Sequence, residues 1–316
     1  MLYKSFSLFF CLLMALPGFS QMPRQVKPAF PELFSEFQNI RDFSMTSNGT
    51  VIYFTAQSLL EEVSLIVQAT KKGDSWKTQV LLTPSGKYKD LEPFLAPDGL
   101  KLYFASNRPL DNTAEAKKDF DIWYLERKSI SEYWSEPKNI GAVINSEFNE
   151  FYPSVSTNGN LYFTSDRTGG NGKDDIYKSE WNLSSYKTPV SLSDSINTDG
   201  YEFNAFISPK EDFLIFSGYN REDGVGSGDL YISTKLKNGD WGLSKNLGKG
   251  INSDKMDYCP FVDFKTNTLY FTSKRSNIKA QEFQNIQEFK SALFISENGL
   301  SKIYKTSLQN ILNLEL

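Results

Sequence analysis

One short pattern is written five times along this chain, and no other feature restricts its fold as tightly. Its centre is a pair of large apolar residues: Tyr53-Phe54, Tyr103-Phe104, Tyr162-Phe163, Ile215-Phe216 and Tyr270-Phe271, at intervals of 50 to 59 residues. A turn precedes the pair: Ser47-Asn48-Gly49, Ala96-Pro97-Asp98-Gly99, Ser156-Thr157-Asn158-Gly159 and Ser208-Pro209-Lys210-Glu211. After it comes Ser106-Asn107-Arg108, Ser165-Asp166-Arg167 or Ser273-Lys274-Arg275. A period of this length with strand-like content signals radial or linear repetition of one supersecondary unit.

The third repeat gives the unit. Residues 152–156 read as a strand, Asn158-Gly159 as its turn and 161–165 as the returning strand; 175–179 and 186–192 complete four antiparallel strands. The second strands, such as Leu102-Tyr103-Phe104-Ala105, are nearly continuous apolar runs, so both sheet faces should be covered. Blades packed between neighbours in a closed ring do this. An open solenoid would need polar capping repeats, yet the first and last repeats carry the same aromatic pairs. In the fifth repeat the third strand is expected near 291–296 and the fourth from 300 to about 306. The residues ahead of the first repeat are too few for the roughly 35 that a further blade needs. The prediction is an all-β fold, a five-bladed β-propeller of four-stranded antiparallel blades.

Lys4, the apolar run 8–16 and the exit Gly18-Phe19-Ser20 have the form of a secretory signal, too short to span a bilayer. The expected division is a signal peptide 1–20, an N-terminal arm 21–38, whose part 27–37 is either an arm or an extra strand that helps to seal the ring, and a single propeller domain 39–316, located in the periplasm or secreted. With the signal removed Cys259 is the only thiol, so no intrachain disulfide is expected. The 25 Phe, 16 Tyr and 5 Trp must then supply the core.

Charge and composition exclude several function classes. A net charge of −4 with scattered charges offers no basic stripe, so no nucleic-acid partner is expected. The chain has no histidine, which removes Ser-His-Asp and Cys-His nucleophile systems and histidine-ligated metals. The Gly-rich stretches 169–174 and 223–229 lack EF-hand or P-loop spacing and read as loops. No cofactor, metal, catalytic residue or membrane insertion is expected, and the chain is expected to be a monomer.

Two copies carry a family resemblance: Pro97-Asp98-Gly99 through Ser106-Asn107-Arg108 to Asp121-Ile122-Trp123, and Asn158-Gly159 through Ser165-Asp166-Arg167 to Asp175-Ile176-Tyr177. The unit resembles the WD40-like β-propeller repeat of the TolB C-terminal domain and of many bacterial envelope proteins. The resemblance implies an exported bacterial propeller. It says little about function, because propellers host many unrelated roles. The α/β domain and six blades of TolB-like proteins are not expected here, so the role of TolB itself is not implied.

The start of each first strand carries an acid, Asp90, Glu150, Glu202 and Asp257, with Ile40 at that position in the first repeat; Tyr88, Tyr152, Tyr201 and Tyr258 flank them. These residues could rim a funnel for a ligand, or each acid could tie its blade to the next through backbone amides or an arginine. A second set, Arg108 with Asp121, Arg167 with Asp175 and Arg221 with Asp229, is expected to pin the loop between second and third strands. Trp76, Trp134 and Trp241 are expected to pack blades. The leading functional expectation is a non-catalytic scaffold that holds an envelope protein or a cell-wall or nutrient glycan on the loop-rich mouth. The alternative is a propeller glycoside hydrolase using the inner-strand carboxylates.

Overall fold

The computed structural model describes residues 26–80, 86–110 and 119–312. The expected signal peptide and most of the 109–120 loop lie outside them. The chain forms five four-stranded antiparallel sheets, each begun by an inner strand: Asn39–Met45, Asp90–Leu95, Glu150–Val155, Tyr201–Ile207 and Asp257–Asp263. Each inner strand packs against the next, and the fifth blade packs against the first, so the ring closes. The repeated aromatic pairs sit on the second strands; Phe54, Phe104, Phe163, Phe216 and Phe271 are all but fully buried. Each contributes roughly 1.5–3 kcal/mol from burial.

The inner hairpins turn where Asx-Gly and its variants predict. Gly159 has φ +89, and an added Cβ would lie 2.8 Å from a ring carbon of Trp181, so backbone and space both demand glycine there. Strands 161–165 and 175–179 of the third repeat form as predicted, whereas its fourth strand is only Val190–Ser191.

The fifth blade departs from expectation. Its third strand is Lys302–Ser307, not 291–296; residues Ile286–Leu293 are instead an α-helix in the loop, N-capped by Asn285. The fourth strand comes from the other end of the chain: Lys27–Pro28 pairs with Lys305 and Tyr304. A late strand bonded to an early one ties the ring shut, and Ala29 N–H to Ile303 O at 2.9 Å extends the seam. Lys302 therefore stands opposite Ser273, the register position that Asp121 holds opposite Ser106.

Every inner strand is broken by a bulge two or three residues after its start. The bulged residues, Asp42, Glu92, Tyr152, Asn204 and Cys259, all have positive φ, between 47° and 62°. Proline follows in three blades, at Pro93, Pro153 and Pro260, where the interrupted ladder asks for no donor. Four of the freed N–H groups, those of Asp42, Glu92, Tyr152 and Asn204, find acceptors on the preceding blade. Thr55 Oγ1 takes Glu92 N–H, Thr164 takes that of Asn204, and Thr272 takes that of Asp42, all at 3.0–3.1 Å. Blade 2 has Ala105 in place of this threonine, and the Glu92 carboxylate accepts from Tyr152 N–H at 2.7 Å instead.

Candidate functional site

The five bulges aim one side chain per blade into the channel, and the five are chemically unlike. Glu92 is the hub of this mid-channel plug. Its Oε1 accepts from Arg41 at 2.7 Å and from Asn204 Nδ2 at 3.3 Å, and its Oε2 from Tyr152 N–H, so blades 1, 3 and 4 all meet blade 2 on one carboxylate. Asp42 is equally engaged: Oδ1 takes Arg41 Nε at 2.9 Å, and Oδ2 takes Thr55 Oγ1 at 2.7 Å and Glu92 N–H at 3.0 Å. The Cys259 thiol donates to Asn204 Oδ1 at 3.5 Å, and Tyr152 OH donates to Pro260 O at 2.9 Å.

Burial decides the ionisation of these groups. Desolvation, opposed by Arg41 and reinforced by Asp42, pushes the Glu92 carboxyl upward to about 7. Desolvation also pushes the Cys259 thiol well up, with Asp42 adding to it, so it stays a thiol at neutral pH and lacks the thiolate that nucleophilic chemistry needs.

Above the plug, the residues one position earlier in each strand form the mouth: Arg41, Leu91, Phe151, Phe203 and Tyr258. They line a cavity of about 330 Å3 that opens toward the loops between second and third strands. Phe120 leans on Phe151 with ring centroids 5.0 Å apart, and the Arg41 guanidinium lies 5.2 Å from the Tyr258 ring. Asp174 reaches the same cavity from the third blade's loop. Burial, with Asp166, Asp175 and Glu202 nearby, pushes its carboxyl up to about 6.

The four first-strand acids lie elsewhere. Asp90, Glu150, Glu202 and Asp257 are at most 1% exposed and do not line the mouth cavity. Each is held by the arginine of its own blade: Arg108, Arg167, Arg221 and Arg275, at 2.7–2.9 Å. Three also accept from the loop entering their blade, through Ser146, Thr198 and Ser253. The arginines lie over Phe104, Phe163, Phe216 and Phe271, 5.2–5.3 Å from the ring centroids. Blade 1 has neither half: Ile40 replaces the acid and Ser58 the arginine.

This corrects the expected arginine partners. The guanidinium sits over its aromatic and bonds to the inner strand, so Arg167 and Arg221 reach Glu150 and Glu202, not Asp175 and Asp229. Those aspartates cap their own loops. Asp175 accepts from Asn171 and Gly172 N–H, and Asp229 from Val225 and Gly226 N–H. Asp121 accepts from Asn139 Nδ2 at 2.9 Å, while Arg108 reaches Asp90. Of the flanking tyrosines, Tyr258 lines the mouth, Tyr152 is in the plug, and Tyr201 packs edge-on against Tyr219 away from the cavity.

Sequence reasoning missed the plug except Tyr152 and the mouth except Tyr258. A signal was present: three of the five inner strands have proline in their interior, which marks a bulge, and the residue before it is where the repeats stop agreeing.

The fold and site define a five-bladed propeller whose channel is sealed at mid-depth by an ion-paired plug under an aromatic mouth. No family model matches the sequence, and no curated protein matches it. Solved structures do. An α-L-arabinofuranosidase from Podospora anserina, in complex with cellotriose, superposes with TM-score 0.52 at 14% identity, covering 85% of this chain and 90% of that one. The arabinanase Arb43A from Bacillus subtilis gives 0.51 at 18% identity, over 85% and 94%. TolB from Acinetobacter baumannii gives 0.48 at 13% identity; the match covers 85% of this chain but spans only 54% of TolB. At these identities the likeness is one of fold. No described helix is long and apolar enough to cross a membrane.

Proposed function

We propose that this chain is an exported bacterial propeller of WD40-like, TolB-like repeats, a non-catalytic scaffold that holds a protein or glycan ligand at the loop-rich mouth. Residues 1–20 would be the signal peptide, 21–38 an arm, and 39–316 the binding domain, in the periplasm or outside the cell. One observation carries the reading. Every carboxylate oxygen of the plug already accepts hydrogen bonds from the protein itself, while the cavity above it presents aromatic faces beside polar groups. Such walls suit the stacking and hydrogen bonding of a sugar or a peptide side chain.

The glycosidase reading draws on the fold shared with the arabinofuranosidase and the arabinanase. Its expected acids, Asp90, Glu150, Glu202 and Asp257, are buried in arginine pairs outside the cavity, which weighs against a proton donor and nucleophile among them.

Binding to arrayed cell-wall glycans and envelope proteins, measured for wild type, Phe151→Ala and Phe203→Ala, tests the proposal. Both variants should bind at least ten-fold more weakly while unfolding within a few degrees of wild type. Undiminished binding by both would move the ligand off this face. Release of reducing sugar from arabinan or another polysaccharide would replace scaffold with hydrolase.

A further inference from the structure

The opposite end of the channel is built to another specification. Below the plug, the residues three positions beyond each bulge, Met45, Leu95, Val155, Ile207 and Val262, form a ring with no polar side chain, one residue per blade. Three phenylalanines, Phe94, Phe206 and Phe261, close its inner end, with centroids 6.3 Å apart for the first two and 5.6 Å for the last two. The cavity so formed measures about 340 Å3. An apolar cavity of about 150 Å3 suffices to stay dry and bind benzene, so this one accommodates roughly two fused or linked rings.

Charge is not lacking at the rim, but it is balanced and already in use. Asp98 caps Leu100 N–H, and Asp263 accepts from Lys265 N–H and Thr266 Oγ1. Arg127 donates to Gly99 O and Ile130 O while stacking on Trp134 at 4.2 Å, and Lys265 donates to Asn48 O. Two acids and two bases, all bound to turns, leave no uncompensated charge to attract an ion. Phe264, 43% exposed, stands at the entrance with its ring 6.3 Å from Phe206.

We infer that this lower cavity is a second binding site, separate from the mouth, and that it takes a neutral, compact, two-ring apolar small molecule. Phe94, Phe206 and Phe261 bound its depth. Occupancy there is independent of the mouth ligand, because the two cavities share no lining residue.

The probe is N-phenyl-1-naphthylamine, whose emission rises on transfer out of water, titrated into the whole protein. The expected result is saturable binding of one equivalent, weakened at least five-fold by Phe264→Ser and unchanged by Phe151→Ala. Val155→Trp, which fills the ring, should abolish it. Should that variant fail to fold, Phe264→Ser still decides, since its site is half in solvent. 1-Naphthalenesulfonate should compete at least ten-fold more weakly than 1-naphthylamine. Non-saturable binding, equal affinity of Phe264→Ser and wild type, loss in Phe151→Ala, or equal competition by the sulfonate would each overturn the assignment.

Discussion

Two rings of side chains lie two residues apart on the same five strands, and they obey opposite rules. In the outer ring four blades repeat one device, a buried acid under a half-buried arginine that lies on a buried phenylalanine. In the inner ring no residue type occurs twice: Asp42, Glu92, Tyr152, Asn204 and Cys259. A repeated device solves a problem every blade has, here holding the entry of the inner strand to its own second strand. A set of unlike groups solves a problem the molecule has once. Recurrence thus marks scaffold, and its failure marks the candidate site.

Blade 1 offers the strongest way to break that comparison. Ile40→Asp would place the acid of the outer ring where no arginine waits, leaving a buried charge unpaired; we expect about 5 kcal/mol of destabilisation in urea unfolding. Adding Ser58→Arg should restore part of it, a positive coupling in the double-mutant cycle. Additive losses would mean that blade 1 lacks the room for the device and not only its residues.

Next in size is Arg167→Ala, which strands Glu150, fully buried, with Ser146 and Ser165 as its remaining donors. The expected loss is about 3–5 kcal/mol, with the mouth ligand still bound by the molecules that remain folded. A loss of binding at intact stability would instead make the outer ring functional.

Much of this architecture was legible in the sequence because it recurs. Aromatic pairs gave the second strands, Asx-Gly turns gave the inner hairpins, and the acids gave the inner-strand starts. The fifth blade was misread because its strand signal is split: residues 291–296 contain Leu293-Phe294-Ile295, apolar enough to imitate a strand, while the true third strand keeps only Ile303-Tyr304 of the Asp-Ile-Tyr motif. Its fourth strand, Lys27–Pro28, has two residues and no local pattern at all. The plug was hidden for a different reason. A left-handed conformation is usually advertised by glycine, but here it is held by Asp, Glu, Tyr, Asn and Cys, four of them bonded through N–H to the preceding blade.

Glu92→Gln probes the inner ring at its hub. It keeps the shape but replaces the ion pair with Arg41, for an expected loss of about 1–3 kcal/mol near pH 7. The pH dependence carries more information. Since the folded-state carboxyl is raised to about 7, the native protein holds this proton where the unfolded chain has released it. Its contribution therefore makes wild type less stable as pH climbs from about 4.5 to 7. The glutamine variant should lack that slope in denaturation midpoints measured across the range. An unchanged slope would place the titration at another group.

The smallest effect sharpens the contrast most finely, because Asp174 lines the mouth yet belongs to a loop and not to either ring. Its carboxyl is raised to about 6 by burial and by Asp166, Asp175 and Glu202, so holding it ionised opposes folding; the opposition is absent below about 4 and complete above 6. Asp174→Asn should therefore stabilise the protein at pH 7, by on the order of 0.5 kcal/mol after allowance for solvent screening of a partly exposed group. At pH 3.5 the two proteins should unfold together. On the proposed binding role a residue that costs stability serves the ligand with its charge, so the same variant should weaken mouth binding while it raises the melting temperature. Gain of stability with binding untouched would return Asp174 to the scaffold, and the mouth would then be defined by its aromatic wall alone.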